Sequence, residues 1–156
     1  METSKQLSNH LRTLYFGKNW SAVDYQHVLA DLNWEEVGIS VQNCNSILTL
    51  VHHTMYYMKV QMQVFDGEAL IASDTESFEH PTLKNEADWI ALKKNMFDIA
   101  ESYAAKIENL PSHILEKHFT DKKYGSYYRN IQGVIEHSHY HLGQIVLLKK
   151  MIRNKF

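Results

Sequence analysis

Apolar residues recur at steps of three and four along most of this chain, and no stretch alternates apolar and polar positions as a strand would. Leu7, Leu11, Leu14 and Tyr15 share one face of a helix predicted over Ser4–Phe16, which Gly17-Lys18-Asn19 interrupts. Ser21 then reads as the N-cap of a segment through Tyr25, Val28, Leu29, Leu32 and Val37, jointed near Asn33; with the first helix it forms one bent element. Asn45 or Ser46 caps the next periodic segment, which carries Ile47, Leu50, Val51, His53 or Thr54, Tyr57, Met58 and Met62 and stops at Asp66-Gly67. Glu86-Ala87-Asp88 opens another, through Trp89, Leu92, Met96, Ile99, Ala100, Tyr103 and Ile107, ending before Pro111. The last runs from about Arg129 to Ile152. Between the second and third main helices, Glu68–Asn85 shows no helical period and forms a crossover long enough to have a covering or functional role. The pattern predicts an all-α four-helix bundle with one long crossover.

At 156 residues the chain reads as a single domain, residues 1–156, with enough length for a proper core. The formal net charge of −2 and the absence of a Lys/Arg block beyond short pairs leave no footprint for neutralising phosphates, so nucleic acid is not an expected partner. No stretch approaches the roughly 18 apolar residues of a membrane span. Met1–Lys5 is not followed by the apolar run of a signal peptide, and a cytoplasmic location is expected. Cys44 is the one cysteine, so any metal ligands in one chain must be His, Asp or Glu.

Ten histidines make that donor set available, and two clusters stand out. His137 and His141 are four apart, one helical turn, on a face that reads Ile131, Val134, His137, Ser138, His141, Ile145 and Leu148. They interrupt an apolar stripe and therefore point inward. His139 lies about 160° from the midpoint of that pair and is expected at the surface or at a subunit contact. Upstream, His53 shares the face of Ile47, Leu50 and Tyr57, with His52 rotated by about 100°; His53 is the preferred partner, with His52 kept open. Spacing alone leaves two readings, a metal site or a hydrogen-bonded pair in the core, because a His-x-x-x-His pattern is weak and here lacks the Glu of the metalloprotease form.

Ile135-Glu136-His137-Ser138-His139-Tyr140-His141-Leu142-Gly143-Gln144-Ile145 resembles the last-helix signature of the DinB-like (DinB/YfiT-like) family. Ser46-Ile47-Leu48-Thr49-Leu50-Val51-His52-His53 resembles that family's second-helix motif, and Phe16–Trp20 and Asp88-Trp89 fit one branch of it. The resemblance implies a four-helix bundle, a homodimer, and a divalent metal, nickel or zinc above all, held by His53, His137 and His141. His139 stands where other residues are common in the family.

A three-imidazole site leaves a divalent ion's charge largely uncompensated, so a fourth ligand there would have its pKa lowered. Two chemistries follow: activation of a small thiol, as in the family's low-molecular-weight-thiol S-transferases, or metal-assisted hydrolysis of a small-molecule substrate. Hydrolysis wants a general base, and Glu136 points about 100° from its neighbouring ligand. With no other carboxylate in evidence, thiol transfer is preferred. A non-enzymatic metal-binding stress-response module is the third reading. Gly143 is expected where a neighbouring helix or partner chain packs closely, with Gln144 bonding across the same contact. Tyr57, Tyr140, Trp20, Trp34 and Trp89 read as packing residues, and Cys44 as a packed helix-end residue.

Overall fold

The computed structural model describes residues 2–154. Among these the fold is helical throughout: α1 (Thr3–Phe16), α2 (Tyr25–Leu29), α3 (Trp34–Gly38), α4 (Ile47–Phe65), α5 (Asp74–Ser77), α6 (Glu86–Glu108), α7 (Ser112–Leu115), a 3₁₀ turn at Lys122–Tyr124, and α8 (Tyr127–Arg153). No strand occurs among the described residues, only an isolated bridge between His118 and Ser126. None of these helices is long and apolar enough to cross a membrane.

The long helices start where short polar side chains can satisfy their first free N–H groups. The Ser46 hydroxyl accepts from Thr49 N at 3.1 Å, Asn85 from Asp88 N at 3.1 Å, and Ser126 from Arg129 N at 3.2 Å. Each such cap stabilises its helix by about 1 kcal/mol. α8 consequently begins two residues before the predicted Arg129.

α1, α4, α6 and α8 pack side by side: α1 lies against α6 and α8, and α4 against the same two. The predicted faces meet in one core, with Leu11, Leu14, Tyr15, Met58, Trp89, Met96, Tyr103, Ile107, Ile131 and Ile145 all lacking solvent contact. Steps of three and four bring each apolar stripe onto this common axis.

The segment after α1 departs from expectation. Lys18 and Ala22 take positive φ, 72° and 56°, and Asn19 Oδ1 accepts from both the amide and the hydroxyl of Ser21. Ser21 is thus a turn residue, and α2 starts later, capped by Asp24. Trp20 sits fully exposed at the tip of that turn and is no packing residue. The expected joint at Asn33 is a helix break, where Asn33 and Glu36 form a capping box for α3. Trp89 Nε1 donates to the Leu32 carbonyl at 2.7 Å, tying this segment to α6. Arg153 and Lys149 reach from the end of α8 to Asp31.

The crossover also has structure the periodicity did not show. Its middle forms α5, started by Ser73, whose hydroxyl accepts from Glu76 N. Ser73-Asp74-Thr75-Glu76 has the Ser-x-x-Glu form of a capping signal. α5 docks on α4: Ser73 N donates to the Tyr56 hydroxyl at 2.7 Å, and Tyr57 donates to Asp74 Oδ1 at 3.0 Å.

Candidate metal centre

Helix periodicity aims His137 and His141 from α8 at α4, and α4 meets them with His53. His53 Nε2 lies 3.0 Å from His137 Nε2, and His141 Nε2 lies 2.9 Å from the same atom. Two nitrogens bound to one ion at about 2.0–2.1 Å sit roughly 2.9–3.4 Å apart, according to the angle between them. The three histidines are thus close enough to hold a metal ion together. His53 and His141 are buried and His137 is half-buried.

Hydrogen bonds on the far side of two rings decide where the protons are. The Ser77 hydroxyl spends its only proton on the Asp74 carbonyl, at 2.5 Å, so it can only accept from His53 Nδ1, which lies 2.8 Å away. The Gln144 side-chain amide donates its Nε2 to the Tyr140 hydroxyl and turns its carbonyl to His141 Nδ1 at 2.7 Å. Both rings therefore carry Nδ1–H and direct an Nε2 lone pair at His137. A neutral His137 can offer one N–H to one of them. The other lone pair then faces the same nitrogen at about 3 Å with no proton between them, which a shared cation relieves. Three imidazole nitrogens are a donor set that suits a divalent transition-metal ion.

Electrostatics agree with ligands kept neutral. Burial, followed by the neighbouring histidines, lowers the pKa of His53 and of His137 to about 4. Burial also lowers that of His141. Phe78 stacks on His53 with ring centroids 4.0 Å apart, closing one side of the site.

The other expectations resolve case by case. His52 lies outside the cluster; its Nδ1 donates to the Ser77 carbonyl at 3.3 Å and helps seat the crossover. His139 is half-buried rather than fully exposed, because α8 lies against α1 there and its ring packs on His10 at 5.6 Å. Tyr140 is exposed, its ring edge-on to His141. Tyr57 stands edge-on to both His53 and His137 and lines a cavity. Gly143 is exposed, and a Cβ there would meet nothing within 4 Å, so no helix among the described residues explains it. Gln144 bonds within its own helix, and Cys44 is exposed in the turn before α4.

The cavity, of about 640 Å³, opens beside the cluster. His53, His137, Tyr57 and Asp74 contribute to it, and Arg129, Asn130, Gly133 and Val134 extend it along α8. Asp74 is the carboxylate that sequence reasoning missed. Twenty-one residues separate it from His53, and only docking of α5 brings it to the site. Burial, then Asp74, raises the Tyr57 hydroxyl pKa. Comparison of the chain with protein-family models, curated proteins and solved structures gave no match.

Proposed function

We propose that this protein is a divalent-metal-dependent enzyme of the DinB-like type, a four-helix bundle acting on a small molecule in the cavity beside His53, His137 and His141. The observation that carries the reading is the pair of outer hydrogen bonds, Ser77 to His53 and Gln144 to His141, which leave two imidazole lone pairs converging on His137. A core histidine pair with no ligand role would gain nothing from that arrangement. The motif residues quoted above supply the family, and with it the expectation of nickel or zinc and of a homodimer.

A divalent ion held by the three histidines supplies a Lewis acid that lowers the pKa of a fourth ligand and orients it. The chain's own groups do the rest. Ser77 and Gln144 hold two imidazoles in the tautomer that presents Nε2. Phe78 covers His53 from one side. The first reaction we assign is thiol transfer: a small thiol gives up its proton to solvent, and its sulfur bonds to an electrophilic carbon whose leaving group departs with the electron pair of the broken bond. Asp74 supports a second reading, hydrolysis, because it supplies the carboxylate whose absence argued against that reaction, and it can accept a proton from water.

The test begins with metal content. Protein purified without added metal is expected to carry one divalent ion per chain, lost in His53→Ala, His137→Ala and His141→Ala but kept in His139→Ala. Equal metal in all four variants would remove the site. Loaded protein is then assayed with small thiols and electrophilic acceptors. Conjugates formed only with thiol and metal support transfer; turnover of ester or amide substrates without thiol supports hydrolysis.

A further inference from the structure

Arg129, Asn130, Gly133, Val134 and His137 all line the cavity, at positions that share one side of α8. The cavity therefore runs along the helix, and eight residues of rise separate Arg129 from His137, about 12 Å. Its lining carries two cations, Lys123 and Arg129, and one anion, Asp74, already engaged by Tyr57. The Lys123 ammonium lies 4.8 Å over the Tyr124 ring and has no carboxylate partner among the described residues. Arg129 makes one exposed ion pair, with Glu136 at 3.3 Å, and Glu136 does not line the cavity.

Two glycines lie against the Arg129 side chain. Gly125, at φ 76°, would bring a Cβ to 3.5 Å from Arg129 Cγ. Gly133, inside α8, would bring one to 3.3 Å from Arg129 Nη1, the sole neighbour within 4 Å. A helix-interior glycine is disfavoured relative to alanine, and here a guanidinium nitrogen lies beside the place a Cβ would take. That folds the charge back to the level of Gly133, about 6 Å along the axis from His137. The same Nη1 meets Glu136 at 3.3 Å, an exposed pair that an anion in the cavity would compete with.

We propose that the cavity takes a small carboxylate-bearing substrate, its carboxylate held by Lys123 and Arg129 and its reacting atom at His53 and His137. The planar guanidinium can meet a carboxylate with two parallel hydrogen bonds, and Lys123 adds a point charge. The histidine end of this assignment rests on the metal-dependent reading above; the anionic end stands on Lys123, Arg129 and Gly133 alone.

The two ends are tested separately. Metal-free protein is titrated with succinate, succinamide and inorganic phosphate while the backbone amides of Gly125, Arg129 and Gly133 are followed by NMR. Saturable shifts with succinate, at least about fivefold tighter than with phosphate and absent with succinamide, support the proposal. They should vanish in Lys123→Ala/Arg129→Ala and weaken in Gly133→Ala, whose helix content should be unchanged. No succinate response, or phosphate binding as tightly, overturns it. Cobalt-loaded protein is then titrated with 3-mercaptopropionate and 2-mercaptoethanol, reading the sulfur-to-cobalt absorption band. A preference of about tenfold for the carboxylate, lost in the double variant, supports the proposal, and equal affinities overturn it. No band with either thiol would count against the metal reading, while the succinate titration still decides the anionic end.

Discussion

His53 donates its Nδ1–H to the Ser77 hydroxyl at 2.8 Å, joining a residue of α4 to the last residue of α5 in the crossover. The bond selects the imidazole tautomer, so removing it should be felt at the metal rather than in the fold. Ser77→Ala is expected to weaken metal binding about 10- to 100-fold, as loss of an outer-shell partner does, with Ser77→Thr recovering much of it. Competition against a chelator of known affinity measures this. An unchanged affinity with unchanged circular dichroism would show that Ser77 does not act through His53.

Tyr57 and Asp74 form a second linked pair across the same junction. Asp74 is one of the causes that hold the Tyr57 pKa above its ordinary value, after burial. Asp74→Asn should therefore lower the Tyr57 pKa while leaving part of the elevation in place. Carbon NMR of labelled tyrosine, with Tyr57→Phe to assign the signal, reads it directly. In the hydrolytic reading the same variant should lose roughly 10²–10⁴-fold in turnover while retaining its metal. Hydrolysis surviving at full rate would remove Asp74 as the base.

Asp31 gathers Lys149 and Arg153 at the end of α8, and its hydrogen bonds to them lower its pKa to about 2 from an ordinary 3.8. A depressed carboxyl pKa contributes stability above the unfolded value, and the contribution is lost as pH falls through the folded one. The urea midpoint of the native protein should thus exceed that of Asp31→Asn at pH 5–7, with the gap closing between about pH 4 and pH 2. The pair is exposed enough for salt to shrink the gap. A gap that persists at pH 2 would mean that the carboxylate charge is not its source.

Trp89 fills the core completely and also spends its indole N–H on the Leu32 carbonyl. Trp89→Ala is expected to cost about 3–5 kcal/mol, from lost burial and the cavity left behind. Trp89→Phe restores most of the volume but leaves a buried carbonyl unpaired, at about 1–3 kcal/mol. Equilibrium unfolding separates the two. A Trp89→Phe cost near zero would mean that the hydrogen bond contributes nothing beyond packing.

The long helices, and the faces they bury, were legible in the chain. A period of three to four selects a face whatever the partner, so Leu11, Met96, Ile131 and Ile145 go inside, and His137 and His141 go with them. Caps such as Ser46 act over three residues and are equally local. The preference for His53 over His52 came from the same geometry, since a rotation of about 100° decides which ring turns toward α8.

Other features depended on docking. Glu68–Asn85 has no period to declare a buried side, so nothing local says that Ser77 meets His53 or that Asp74 reaches the cavity. Trp20 was misjudged because hydrophobicity favours burial only where the backbone can present the ring to the core, and the turn at Lys18–Ala22 turns it outward. Local sequence thus set the helices and the inward aim of the histidines, through interactions within one or two turns. Tertiary packing alone chose the His53 tautomer, the nearby carboxylate and the meeting of α4 with the cationic wall of α8, because each depends on contacts between segments distant along the chain.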